Sequence, residues 1–338
     1  MNRNESQQFQ IFAKQECENS SPLYEYLSYK IAEDNELLAL ATTIPLGQPV
    51  PNLFFASVHF LLMDAAHELK DYYASFTNSP KPVDQAFAPF KQFTLSNADA
   101  LVTLFQSKLV QTNEVRRCAY LYPMISEIYE KHKQPLALIE IGASAGLQLA
   151  MDQFNYFYNE EQYVENTNYG VLIKSNNLGE PLPTAIYTKP IIQSRIGLDL
   201  NPIDVKKAED LKWLQALIWP EHADRRKLLL NAAEVLTNIN VQLIQGDAVA
   251  KIEEVCNTVD PDAFIVIYHT HVANQIPKPV RIHLMETLKN ISIHRPLYHC
   301  YNNLFDAELH QDLIQDGNIT SIRLMEKPDG HARTFKWS

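Results

Sequence analysis

The chain has 338 residues, 46% of them hydrophobic and 10% aromatic, and carries a formal net charge of −11. That size suits a globular protein with a sizeable core, either one large α/β domain with an appendage or two domains. With an acidic balance and no stripe of Lys and Arg, the chain lacks the positive footprint that grips phosphate backbones, so a small-molecule substrate is expected and nucleic acid is not.

From residue 1 to about 130 the pattern is helical throughout. The polar opening MNRNESQQFQ has no apolar signal-peptide core. Ser21-Pro22 reads as an N-cap followed by a first-turn proline, leading into LYEYLSYKIAEDNELLAL. After Pro51, NLFFASVHFLLMDAAHELKDYY is apolar nearly all round in its first half, as in a buried helix. Its most apolar run, NLFFASVHFLLMDAA, is broken by His59 and Asp64 and is too short to span a bilayer. SPKPVDQAFAP is a proline-rich connector. Ser96 is then expected to cap NADALVTLFQSKLV, and NEVRRCAYLYPMISEIYEKH supplies a further helix. The scattered Cys17, Cys118, Cys256 and Cys300 form no CxxC pair, so neither a zinc knuckle nor a disulfide framework is suggested. A cytoplasmic protein with no membrane partner is the expectation; nothing in the pattern speaks to oligomeric state.

The texture changes at Pro135. PLALIEI is a short apolar run ending at a glycine turn, and AGLQLAMDQF behind it has helical periodicity, the pattern of a buried parallel strand feeding a helix. Residues 155–193 are tyrosine-rich and alternate, which predicts an inserted β-excursion. SRIGLDL, NVQLIQGDA, DAFIVIYHTH and RPLYHCY continue the core strands, with helices between them. A helix is expected around DAELHQDLI, then a hairpin formed by ITSIRLME and HARTFKW. The predicted organisation is a helical cap subdomain over 1–112 and an α/β domain over 113–338, a doubly wound and mostly parallel sheet with an antiparallel end.

GASAG at 142–146 fits two motifs. As G-x-S-x-G it is a nucleophile elbow, with Ser144 followed in chain order by Asp199 or Asp247 and then His331. In such hydrolases, however, several strands precede the elbow, whereas here the preceding segment is helical and holds no HGG. As a strand-end glycine turn, it is the first loop of a nucleotide-type cofactor site. Glu140 stands two residues before Gly142, and Gly142 and Gly146 let the backbone approach a ligand, with Ala143, Ser144 and Ala145 small enough not to block it. The next strand ends GLDLNP, placing Asp199 where a carboxylate accepts ribose hydroxyls. The third ends GDA, placing Asp247 near an adenine amino group.

Taken together, the glycine turn, the two strand-end acids and the terminal hairpin resemble the S-adenosylmethionine-dependent methyltransferases. Two departures stand out: Ser144 occupies the usual middle glycine, and about forty residues are inserted before Asp199. More narrowly, SSPLYEYL, QTNEVRR, PLALIEIGASAGLQL, GLDLNPIDV, WLQALIWPEHADRR and GHARTFKW resemble the bacterial domain-of-unknown-function 2332 family over nearly the whole chain. That resemblance implies a Rossmann-like methyltransferase core with S-adenosylmethionine as cofactor. It supplies no reaction, because fold alone does not fix activity.

Other candidates follow from position. In YHTHVANQIP, His269 and His271 share a face if the segment is extended, and either could be the general base for an acceptor. An H-x-H pair could also hold a metal, but no third ligand is evident locally, so no metal is expected. In QTNEVRR, Asn113 reads most simply as an N-cap. The functional reading has Gln111, Thr112 and Asn113 lining a pocket and Arg116 or Arg117 meeting a carboxylate. Trp213 and Trp219 read as packing residues or as an aromatic wall over the ligand; Tyr156, Tyr158, Tyr163 and Tyr169 lie in the insertion. The expected function is S-adenosylmethionine-dependent methylation of a small molecule. The alternatives are a Ser144 hydrolase and a non-catalytic S-adenosylmethionine-binding protein.

Overall fold

The computed structural model describes residues 4–111, 113–167 and 169–338. The chain forms two compact units, one of Met1–Thr112 with Lys207–Lys227 and one of Asn113–Lys206 with Leu228–Ser338. The sequence reading placed Lys207–Lys227 in the α/β part. It groups instead with the helical unit, because Trp213 and Ala216 are buried in that unit's apolar core.

The helical unit contains α1 (Glu5–Phe12), α2 (Pro22–Ile31), α3 (Asn35–Ala41), α4 (Val50–Asp64), α5 (Phe87–Ser96) and α6 (Ala98–Ser107). Ser21 caps α2 as expected, its hydroxyl accepting from the Tyr24 N–H at 3.2 Å. Ser96, by contrast, lies inside α5, and Asn97 separates α5 from α6. α4 is buried on almost every side. Its rings build an aromatic core, with Phe55 stacked on Tyr24 at 4.2 Å and Phe54 on Phe105 at 5.7 Å. Trp219 joins this core against Phe12, so both tryptophans of WLQALIWPE serve packing here. His59 is a satisfied core residue held between Ala216 O and Ser75 Oγ. Burial lowers its pKa to about 3.

The α/β unit opens with α7 (Cys118–His132) and β1 (Leu136–Ile141), followed by a 3-10 helix over Leu147–Gln153. The insertion supplies β2 (Asn155–Tyr158), β3 (Gln162–Val164) and β4 (Leu172–Asn177), before β5 (Ile192–Asp199) returns to the main sheet. After α8 (Ala208–Ala216), which belongs to the helical unit, come α9 (Ala223–Thr237), β6 (Gln242–Gln245), α10 (Ala248–Thr258), β7 (Phe264–His269), α11 (Lys278–His294) and β8 (Leu297–Asn302). β9 (Leu309–Gln315), β10 (Asn318–Met325) and β11 (Thr334–Phe335) end the chain.

The main sheet has seven strands in the order β10-β9-β8-β7-β1-β5-β6. β6, β5, β1, β7 and β8 are parallel; β9 and β10 add antiparallel strands at the end. The result is a mixed α/β fold with a parallel sheet and an antiparallel C-terminal hairpin, alongside an N-terminal helical region. β1 and β7 are mostly apolar and buried along their whole length, as central parallel strands are. Their Ile139, Ile265 and Ile267 pack with Ile252 of α10 and Leu288 of α11.

The hairpin is built from a different pair of segments than the sequence suggested. DAELHQDLI forms β9 rather than a helix, and β9 pairs with β10 across Asp316 and Gly317. Both turn residues have positive φ, 53° and 75°, the conformation of a two-residue hairpin turn. β11 instead joins β4 in a second sheet of order β11-β4-β2-β3. There Tyr156 and Tyr158 are buried, donating to Met151 O and Ala119 O, while Tyr163 and Tyr169 are exposed. No helix among the described residues is long and apolar enough to cross a membrane.

Candidate functional site

Strand order reverses direction at β1: the chain goes to β5 and β6 on one side, then to β7 and β8 on the other. In open α/β sheets the crevice beyond the strands' carboxyl ends at such a point is where ligands bind. GASAG leaves β1 there. Gly142, Ser144 and Gly146 take φ of 70°, 50° and 71°, so the loop alternates through the left-handed region that disfavours side chains. A Cβ on Gly142 would come within 2.5 Å of Val272, which follows β7. Ser144 keeps its side chain in this conformation, and its hydroxyl accepts from Asn113 Nδ2 at 2.6 Å.

Every amide of this loop donates to the protein. Gly142 and Ala143 donate to Leu198 O, Gly146 to Ala143 O, Ser144 to Asp199 Oδ2 at 2.7 Å, and Ala145 to Asn113 Oδ1 at 3.2 Å. A phosphate-cradling loop needs its N–H groups turned toward the anion. This loop turns them inward, which disfavours a pyrophosphate. Asp199 Oδ1 accepts in addition from Asn201 N–H at 2.7 Å. Its half-buried carboxylate therefore shapes the glycine loop.

Three motifs that are remote in sequence converge on the same end of the sheet. Glu114, 2% exposed, accepts the Nδ1 proton of His331 at 2.8 Å, across 217 residues. Arg117, also buried, donates from Nε to Gly330 O at 3.1 Å and from Nη1 to Thr270 O at 3.4 Å. Gln148 lies between them, bonded to Glu114 O and to the Thr270 hydroxyl. QTNEVRR thus tethers the glycine loop, the β7 loop and the C-terminal GHA together. Asn113 is no N-cap: Glu114 caps the following 3-10 turn, accepting from Arg116 N–H. Thr112 lies outside the described residues.

The remaining sequence candidates separate. Glu140 alternates with the core residues Ile139 and Ile141 and so faces away from α10 and α11, where Tyr268 donates to its Oε2 at 3.4 Å. Burial pushes its carboxyl well above the ordinary range. Asp247 is exposed and caps α10, accepting from Val249 and Ala250. His269 and His271 do not share a face. His271 has φ 59° and turns the chain, its N–H held by Asn302 Oδ1. His269 faces the α10 and α11 side and lies beside His299, with ring centroids 5.1 Å apart. Burial lowers each of these two histidines to about 4, assisted at His271 by the neighbouring Arg117 charge. Among the described residues, the Ser144 hydroxyl meets Asn113 and the His331 imidazole meets Glu114, and neither contact is a nucleophile–base pair.

The family model described as an uncharacterized protein conserved in bacteria (DUF2332) matches residues 6–337, and the chain belongs to that family. No curated protein matches it. Among solved structures it is similar to WbdD, represented by a high-resolution and a medium-resolution structure, the latter described as a bifunctional kinase-methyltransferase. Each match is 13% identical with a TM-score of 0.26, covering 56% of this chain and 30% or 29% of WbdD. The matched region therefore spans less than a third of WbdD's length.

Proposed function

We propose that the α/β unit is a Rossmann-like domain that binds S-adenosylmethionine and methylates a small-molecule acceptor. The observation that carries this reading is the closed glycine loop at the reversal of strand order, with Asp199 at the end of the adjacent strand. Counted along the chain, the five parallel strands lie in the order 3-2-1-4-5, that of cofactor-binding doubly wound sheets. A dinucleotide is disfavoured because the loop's amides point inward; a nucleoside without phosphates does not need them.

Bound in this crevice, S-adenosylmethionine would supply an electrophilic methyl group. Methyl transfer from a sulfonium asks the protein mainly for alignment and exclusion of water. Asp199 takes the ribose hydroxyls, since a carboxylate offers about four acceptor positions. Asp247 would approach the adenine, with Ser144 inside the loop and Glu140 on the strand that leads into it. On the acceptor side, Glu114 holds the His331 imidazole by Nδ1, orienting it to remove a proton. His271 stays neutral at physiological pH and offers a second base. His269, on the other face of the sheet, has no part in proton transfer. The setting that goes with this reading is cytoplasmic.

Calorimetric titration with S-adenosylmethionine and S-adenosylhomocysteine tests the proposal. Micromolar binding of either is expected, weakened in Asp199→Asn. Absence of binding to both would overturn it.

A further inference from the structure

Arg117 is a buried cation that makes no ion pair with a carboxylate among the described residues. Only 7% of the residue is exposed, and both of its hydrogen-bond partners are neutral backbone carbonyls, Gly330 O and Thr270 O. Its hydrogen bonds run from Nε and Nη1. Arg195 and Arg323 of this unit hold carboxylates, Asp152 at 2.6 Å and Glu127 at 2.9 Å, whereas Arg281 and Arg295 donate to backbone carbonyls but are only half-buried, leaving Arg117 the more enclosed case. Two buried acids of the same unit, Glu114 and Glu140, are engaged elsewhere, although the Arg117 charge does act on Glu140. Glu114 directs its two oxygens to His331 and to the Arg116 amide. Glu140 is bonded by Tyr268, and its burial favours the uncharged acid.

Burying an ionised group unpaired is costly, so such groups are found with a partner. Arg117 lies at the end of the sheet where the strand order reverses, bonded to Thr270 just beyond β7. We propose that Arg117 is the receptor for a ligand carboxylate. A single planar guanidinium matches the two oxygens of a carboxylate. A phosphate, by contrast, would call on loop amides that are already engaged. Two sources share this chemistry: the amino-acid end of S-adenosylmethionine, in which case the inference rests on the function proposed above, and an acidic methyl acceptor.

The experiment compares wild type with Arg117→Gln and Arg117→Lys by calorimetry. The probes are S-adenosylhomocysteine, 5′-methylthioadenosine (the same thioether nucleoside without the amino acid) and malonate. If the cofactor is the source, Arg117→Gln weakens S-adenosylhomocysteine by about 10- to 100-fold and leaves 5′-methylthioadenosine unchanged. If an acceptor is the source, both nucleosides bind as before, and malonate binding to the nucleoside-loaded protein is lost. Unchanged nucleoside affinities with no Arg117-dependent malonate binding overturn the inference. Should neither nucleoside bind wild type, the cofactor reading fails. Malonate binding to the unloaded protein then decides for Arg117 if it is lost in the variant, and against it otherwise. Arg117→Lys keeps the charge, so partial recovery is expected. It also carries the comparison if Arg117→Gln, which releases two carbonyls, does not fold.

Discussion

Gly142→Ala is the sharpest test of the loop's construction. The added Cβ would lie 2.5 and 2.8 Å from the two methyls of Val272, at a residue whose φ is 70°. The left-handed conformation costs an L-residue about 1–2 kcal/mol. Overpacking against a short β-branched side chain adds about 1–3 kcal/mol, so the sum is about 2–5 kcal/mol. Val272→Ala removes the steric part and leaves the dihedral part. The double variant should therefore be more stable than additivity predicts by about 1–3 kcal/mol. With two compact units a single global transition is not assured, so urea unfolding by circular dichroism should be paired with hydrogen exchange at β1 and β7 amides. A Gly142→Ala protein within about 0.5 kcal/mol of wild type, or strictly additive behaviour, would refute the packing argument.

Two further outcomes follow from neighbouring features. Ser144 combines φ 50° with a hydroxyl bonded to Asn113, so Ser144→Gly should match wild-type stability within about 1 kcal/mol while Ser144→Ala loses about 1 kcal/mol. Equal losses in both, read by thermal melting, would contradict that balance, and loss of an esterase activity in Ser144→Ala would revive the nucleophile reading. His269 titrates at about 4 in the folded chain through burial, against an ordinary 6.5. Between those values the unfolded chain binds the extra proton, so stability is complete above about pH 6.5 and falls by about 3 kcal/mol on acidification to pH 4. His299, shifted in the same direction, steepens the loss. Denaturation midpoints from pH 7 to 4.5 should flatten in His269→Gln, and an unaltered slope would show that other groups dominate.

The parallel core was legible because its signals are local. PLALIEI, SRIGLDL and DAFIVIYHTH are short apolar runs bounded by turn residues, and each becomes a strand of the main sheet. The error at DAELHQDLI is equally instructive. Its mixed pattern fits a helix or a strand over so short a run, and the deciding signal was the Asp316-Gly317 pair just beyond it. Asp-Gly between two extended segments specifies a tight hairpin, and here both residues take the positive φ that such a turn requires. Lys207–Lys227 was misplaced for another reason: its helical pattern is local, but which core receives Trp213 is a long-range fact that periodicity does not encode.

The site divides along the same line. That GASAG, Asp199 and Asp247 stand at strand ends was visible because a strand-end turn is a local motif. The inward direction of the loop's amides was not, since it depends on Asn113 and Asp199 arriving from separate segments. QTNEVRR carried a detectable signal, a dense polar cluster at the entrance to a buried helix, and its simplest explanation, capping by Asn113, was displaced by one residue. The real role of that cluster rests on Glu114 meeting His331 and Arg117 meeting Gly330, contacts spanning 217 and 213 residues. The histidine pair failed for a local reason that only coordinates expose. Alternation on an extended strand holds as far as His269; the positive φ at His271 breaks it, leaving one imidazole beside Arg117 and the other among core rings on the opposite face. Reading H-x-H as a functional pair therefore assumed a backbone conformation, and the chain abandons that conformation where β7 gives way to the crevice.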